Sequence, residues 1–272
     1  MTMTLPLNEF ARRLVHEPAV LVSVCSAEGS VPRAPGAWMA VFGDAVMGTI
    51  GGGRLEFEAV VEARLLLATT RAMTQPLQVR YPLGPSLGQC CGGVVHLAFE
   101  RVNAADLPAL RTRLGAVLAP VALFGGGHVG RALIHVLASL PYAVTWIDSR
   151  DEIFPAPLPA GVVCEHSEPV QAAVRELAPG SNVLIMSFSH AEDLDVVAAC
   201  LLRQRAQGDL PYLGLIGSKT KWAVFRRRLL ERGFTDQELA HVTCPIGLPG
   251  ITGKEPEVIA VAVAAQLLLL RG

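Results

Sequence analysis

VALFGGGHVGRALIHVLASLPYAVTWID, Val121 to Asp148, is the stretch whose reading decides the fold. Val121 to Phe124 is a short apolar run that ends in Gly125, Gly127 and Gly130, spaced as Gly-x-Gly-x-x-Gly. Glycines at that spacing permit a tight turn, close approach of backbone N–H groups to a phosphate, and close packing of a helix on a strand. Val129, Ala132, Leu133, Val136, Leu137 and Leu140 then recur at helical spacing, which predicts an amphipathic helix directly after the turn. The unpaired N–H groups at such a helix start favour an anion. After Pro141, Ala143 to Ile147 reads as a second strand with Asp148 at its end. An acid there is either a ribose ligand or a solvated strand end. His128, inside the turn, either meets an anion or caps the helix.

Downstream the alternation continues. Strands are expected at Val162 to Cys164, Val183 to Ser187 and Tyr212 to Ile216, with helices at Pro169 to Leu177 and Asp193 to Arg205. Alternation of this kind implies a parallel sheet covered on both faces. Two polar loops fall at expected strand C-terminal ends, Ser187 to Asp195 and Gly217 to Lys221, the edge along which open α/β sheets bind ligands. Ser189, His190 and Asp193 are candidate ligand contacts, and Ser189 and Asp193 are also ordinary helix-capping types. Lys219, Lys221 and Arg226 to Arg228 form either a solvated basic face or a docking surface. Val258 to Leu270 is the most apolar run, yet with Gln266 inside it is shorter than the ~20 residues of a bilayer span, so it reads as a buried C-terminal helix.

Upstream, Leu7, Phe10, Ala11 and Leu14 predict a short amphipathic helix, Ala19 to Cys25 a strand, and Trp38 to Phe42 with Ala45 to Met47 a hairpin through Gly43 and Asp44. Gly51, Gly52 and Gly53 precede another expected helix, and with Thr49 they form either a second anion cradle or a flexible turn. Leu77 to Tyr81 and Val94 to Phe99 flank a loop that places Cys90 and Cys91 between glycines. Adjacent thiols in a reducing compartment either serve a soft metal or a transferable sulfur, or are an incidental pair at a strand start. Val102 to Pro120 carries no motif and reads as a helical connector. The expected organisation is therefore α/β: a smaller N-terminal α+β domain over residues 1–115 and a Rossmann-like parallel-sheet domain over residues 116–272.

A net charge of −1 offers no basic field for nucleic acid. The first residues lack the uninterrupted apolar core of a signal peptide, so a cytoplasmic protein without a membrane anchor is expected. The six cysteines show no Cys-x-x-Cys spacing, which argues against a structural zinc site.

The ordered motifs EGSVPRAPGA (28–37), GTIGGGRLE (48–56), LGQCCGG (87–93), FGGGHVGRAL (124–133) with TWIDSR (145–150), YLGLIGSKTK (212–221) and CPIGLPGITGKEPEVIAVAVAAQLL (244–268) resemble those of the XdhC/CoxI family, over nearly the whole chain. The resemblance implies a chaperone that binds the molybdenum cofactor (molybdopterin). It would hold the cofactor while a cysteine desulfurase helps to install its sulfido ligand, then hand it to apo xanthine dehydrogenase. The candidate cofactor contacts are Gly51, Gly52, Gly53, Cys90, Cys91, Gly125, Gly127, His128, Gly130, Asp148, His190 and Lys219, with Cys90 and Cys91 as the metal or sulfur contacts. A separate nucleotide at the Rossmann unit stays open, and a homodimer is expected although no residue pattern fixes it. Two departures stand out. Arg54 occupies a position where many CoxI-type relatives carry cysteine, and Ser187-Phe188-Ser189-His190 stands where relatives often read Thr-His-Ser-His, so no histidine pair is present. The rival reading is an NAD(P)-dependent oxidoreductase; it needs an acid or base, and spacing selects neither His190 nor Lys219.

Overall fold

A computed structural model describes residues 5–69, 75–83, 92–115 and 118–271, which fall into two compact units, one running to Gly115 and one from Ala116. The first unit is built on a five-stranded antiparallel sheet of order β3-β2-β1-β5-β4, comprising β1 (Ala19–Glu28), β2 (Trp38–Val41), β3 (Val46–Gly48), β4 (Leu77–Pro82) and β5 (Val94–Val102). Period-two alternation gives this sheet two apolar faces. Val20, Val22, Val24, Leu97 and Phe99 pack with Leu55, Ala59 and Ala63 of α2 (Gly53–Ala68). Ala19, Leu21, Ala40 and Phe42 face the other way, against Leu7, Phe10 and Leu14 of α1 (Leu5–Leu14) and Leu110 of α3 (Leu107–Leu114). The β2–β3 turn closes where Phe42 N–H donates to the Ala45 carbonyl at 2.8 Å.

The second unit holds a six-stranded, wholly parallel sheet of order β11-β10-β9-β6-β7-β8: β6 (Ala119–Phe124), β7 (Tyr142–Asp148), β8 (Val162–His166), β9 (Asn182–Ile185), β10 (Tyr212–Leu215) and β11 (Val242–Thr243). α4 (His128–Leu137) and α8 (Pro256–Arg271) cover one face, burying Leu133, Leu137, Val263 and Leu267 against Val121, Leu123, Val144 and Trp146. α5 (His190–Gln207), α6 (Lys219–Glu231) and the short α7 (Asp236–Leu239) cover the other, where Val197, Leu201, Phe225 and Leu239 meet Phe124, Ile185, Leu213 and Leu215.

Three sequence expectations change. Val170–Glu176 is a 3-10 helix rather than an α-helix. α5 starts at His190, where the Ser189 side chain caps it by accepting from Glu192 N–H. α8 is buried along one stripe only, and Val261, Leu268, Leu269 and Leu270 are exposed. Gln266 fits within this apolar helix because its side-chain oxygen accepts from the Tyr212 hydroxyl at 2.7 Å and from Gly247 N–H at 2.8 Å. Among the described residues no helix is long and apolar enough to cross a membrane.

Candidate functional site

The sheet order reverses at β6, whose neighbours are β7 on one side and β9 on the other. The chain leaves β6 and β9 toward opposite flanks, which opens a crevice at their C-terminal ends. The glycine turn after β6 lies at that point. Gly125 has φ +122°, and a Cβ there would sit 2.0 Å from the Met186 carbonyl oxygen beyond β9. A Cβ on Gly130 would sit 2.1 Å from the Gly125 carbonyl oxygen, which also accepts from Trp146 Nε1 at 2.9 Å. A Cβ on Gly126 would meet the Ile153 side chain at 2.6 Å. These three glycines are required by packing inside the unit. Gly127 differs: it caps α4 with an ordinary φ of −69°, makes no side-chain cap, and a Cβ there would meet nothing within 4 Å. His128 is the first residue of α4 rather than its cap, and is exposed.

Asp148 is 2% exposed and all of its acceptor capacity is directed into the fold. Oδ2 accepts from Gly126 N–H at 2.6 Å and from Arg150 Nη2 at 2.9 Å, and Oδ1 accepts from Arg150 N–H and Nε, both at 2.9 Å. Burial opposes its charge, but the Arg150 fork and the two backbone donors outweigh burial and hold the carboxyl below its ordinary value. Asp148 is thus neither a solvated strand end nor an unengaged ribose acceptor. It ties the glycine turn to Arg150, a residue the sequence reading passed over. Its signal was present in TWIDSR, as an arginine two positions after a strand-end acid.

The loops after β9 and β10 are joined by another pair the sequence reading missed. Lys221 Nζ donates to Asp193 Oδ2 at 2.6 Å and to the Ile216 carbonyl at 2.8 Å, while Asp193 Oδ1 accepts from Ser187 N–H at 2.7 Å. The Asp193 side chain is buried and that of Lys221 is largely so, which takes Lys221 out of the solvated face of α6. His190 and Lys219 begin α5 and α6 and are exposed, with the His190 ring edge-on to Phe225 at 6.3 Å. The Ser187 hydroxyl is buried at this edge without a hydrogen-bond partner among the described residues. Cys244 follows β11 with its Sγ 4.0 Å from the Ser218 carbonyl; burial pushes its thiol up, and Lys221 pulls it the opposite way.

In the first unit the glycine loop needs correcting as an anion cradle. Gly51, Gly52 and Gly53 have φ of +128°, +77° and +63°, which aligns donors as expected. The acceptor they surround is internal: Glu56 Oε2 takes Ile50 N–H at 3.0 Å, Gly52 N–H at 3.1 Å and the Thr49 hydroxyl at 2.5 Å. An external anion would have to displace that carboxylate. Cys90 and Cys91 lie outside the described residues. Among the described residues no group of three or more His, Cys, Asp or Glu is placed to hold a metal ion.

Sheet order, glycine turn and buried strand-end acid define the second unit as a Rossmann-type α/β domain; the first unit is a smaller α+β unit. Residues 121–267 match the XdhC Rossmann domain and residues 13–82 match the XdhC and CoxI family; the chain belongs to that family. It is 25% identical over 255 residues to an uncharacterized protein of Escherichia coli (strain K12), YqeB, covering 93% of this chain and 44% of that relative. The chain therefore spans less than half of that relative's length. Its fold is similar to the crystal structure of a Bacillus halodurans protein named as a xanthine dehydrogenase, with a TM-score of 0.78, 21% identity, and coverage of 99% of this chain and 96% of the other.

Proposed function

We propose that this protein is a carrier of the molybdenum cofactor that serves the maturation of a xanthine dehydrogenase. The observation that carries the reading is the switch-point turn, where Gly127, alone among the turn glycines, is a position at which a Cβ would meet nothing within 4 Å among the described residues. A glycine kept where a side chain would fit leaves room for a ligand to approach the backbone, and the first turn of α4 supplies N–H donors there. The cofactor is cargo with a matching end, a phosphate on a pterin. Membership of the XdhC and CoxI family supports the same cargo, and the xanthine dehydrogenase name of the structural relative supports that recipient.

In this reading the second unit takes the phosphate at Gly127 and His128, with His190 and Lys219 exposed along the same sheet edge. Cys90 and Cys91 supply thiolates for the soft, sulfur-ligated metal or for sulfur delivered by a cysteine desulfurase. A homodimer is the assembly proposed. The test is to purify the protein from cells that make molybdopterin and to measure molybdenum and oxidised-pterin fluorescence per chain. Near-equimolar amounts of both are the expected result; their absence from folded protein, with sustained turnover of added NAD(P)H and a carbonyl compound, would replace the carrier by an oxidoreductase.

A further inference from the structure

Phe188 is 65% exposed, a large ring left in solvent at the sheet edge where ligands of such folds bind. It is not loose. Its backbone N–H donates to Glu192 Oε2 at 3.0 Å, and Glu192 Oε1 accepts from the Ser149 hydroxyl at 2.8 Å, so the loop after β9 is tied to the loop after β7. The Arg150 guanidinium lies 4.4 Å from the Phe188 ring centroid, and the same guanidinium forks onto Asp148, which holds Gly126 N–H. Arg150 follows β7 and Phe188 follows β9, with β6 between those strands. Their contact therefore crosses the C-terminal end of β6, beside the glycine turn. A ring in contact with a cation, with much of its surface open, is biased toward one orientation before any ligand arrives, which lowers the cost of binding.

We infer that the Phe188–Arg150 pair is a stacking platform for a planar fused nitrogen heterocycle carrying a phosphate. The inference rests on the reading that a phosphorylated cargo occupies the switch point. Heterocycle faces stack on aromatic side chains and on guanidinium planes alike, whereas a phosphate alone gains nothing from Phe188. Asp148 is a positioning residue here: it aims Arg150 and touches no ligand. Pterins and purines share the required chemistry, and the probes below separate them.

Isothermal titration of the full chain with adenosine diphosphate, hydroxymethylpterin diphosphate and inorganic pyrophosphate provides the test. At least one ring-bearing probe binds about tenfold or more tighter than pyrophosphate, and the tighter of the two identifies the source. Phe188→Ala loses about tenfold or more for that probe, and its pyrophosphate affinity stays within about twofold of the parent. Because Phe188 is largely exposed, the variant keeps its core. Phe188→Trp retains ring binding, and its added indole emission is quenched by the ring-bearing probe and not by pyrophosphate. Ring-probe affinity unchanged in Phe188→Ala, or no tighter than pyrophosphate in the parent, overturns the platform and leaves the phosphate site standing. A parent chain that binds none of the three overturns the phosphate site and the platform together.

Discussion

A Cβ at Gly130 would lie 2.1 Å from a backbone oxygen, and a Cβ at Gly127 would meet nothing within 4 Å, so the two positions should respond oppositely to substitution. Gly130→Ala is expected to lose about 1–3 kcal/mol of stability through overpacking, read from urea unfolding. Gly127→Val should unfold with the parent and lose only its ligand. Equal destabilisation of both would mean that the whole turn is structural. Lys221 gives a sharper residue-level case. Its ammonium balances a buried Asp193, so Lys221→Met leaves that carboxylate buried with only the Ser187 N–H, at a cost of about 3–5 kcal/mol. A loss below about 1 kcal/mol in urea unfolding would show that the pair behaves as a surface salt bridge.

Elements differ in how their ends are held, and α7 shows this through pH. Thr235 and Glu238 form a capping box around its first turn, and Arg205 reaches Glu238 from α5 at 2.5 Å. The Arg205 hydrogen bonds, then the Thr235 backbone and hydroxyl, lower the Glu238 carboxyl to about 2. A carboxyl depressed in the folded state contributes stability that is complete above the unfolded value of ~4.3 and is lost as pH falls toward 2. Glu238→Gln should therefore be less stable than the parent at neutral pH, with the gap narrowing as pH falls below the ordinary carboxylate range and closing only below the folded-state value. A stability gap that stays constant across that range would remove the charge from the explanation. The helix and strand pattern from Val121 to Asp148 was legible in the sequence because local periodicity and glycine spacing specify it. The same holds for α1, whose four spaced apolar residues are all buried. What could not be read locally was which polar side chains turn inward. Asp193 and Lys221 are 28 positions apart and meet only once β9 and β10 pair. Glu56 filling its own glycine loop was closer to legible, since an acid in the first turn of a helix is a usual partner for N-terminal N–H groups. The 3-10 helix at Val170–Glu176 carries helical spacing, and spacing alone does not distinguish a 3-10 from an α-helix over so few residues.

For the whole molecule, the proposed carrier role makes two separate predictions, one for the thiols Cys90 and Cys91 and one for the switch-point turn. The Cys90→Ala/Cys91→Ala protein should stay soluble, lose molybdenum and fail to activate apo xanthine dehydrogenase; activation equal to the parent would make the thiol pair incidental. Cys200 is buried in the core of the second unit, with its thiol pushed up to about 12 by burial, so Cys200→Ala should keep its cargo and show only a stability cost. The most direct test of the central claim is the molybdenum and pterin content of parent and Gly127→Val proteins purified side by side from cells that make molybdopterin. The account predicts near-equimolar cargo on the parent and none on the equally folded variant. Equal cargo on both would contradict it, because the switch-point turn would then not be where the cofactor is held.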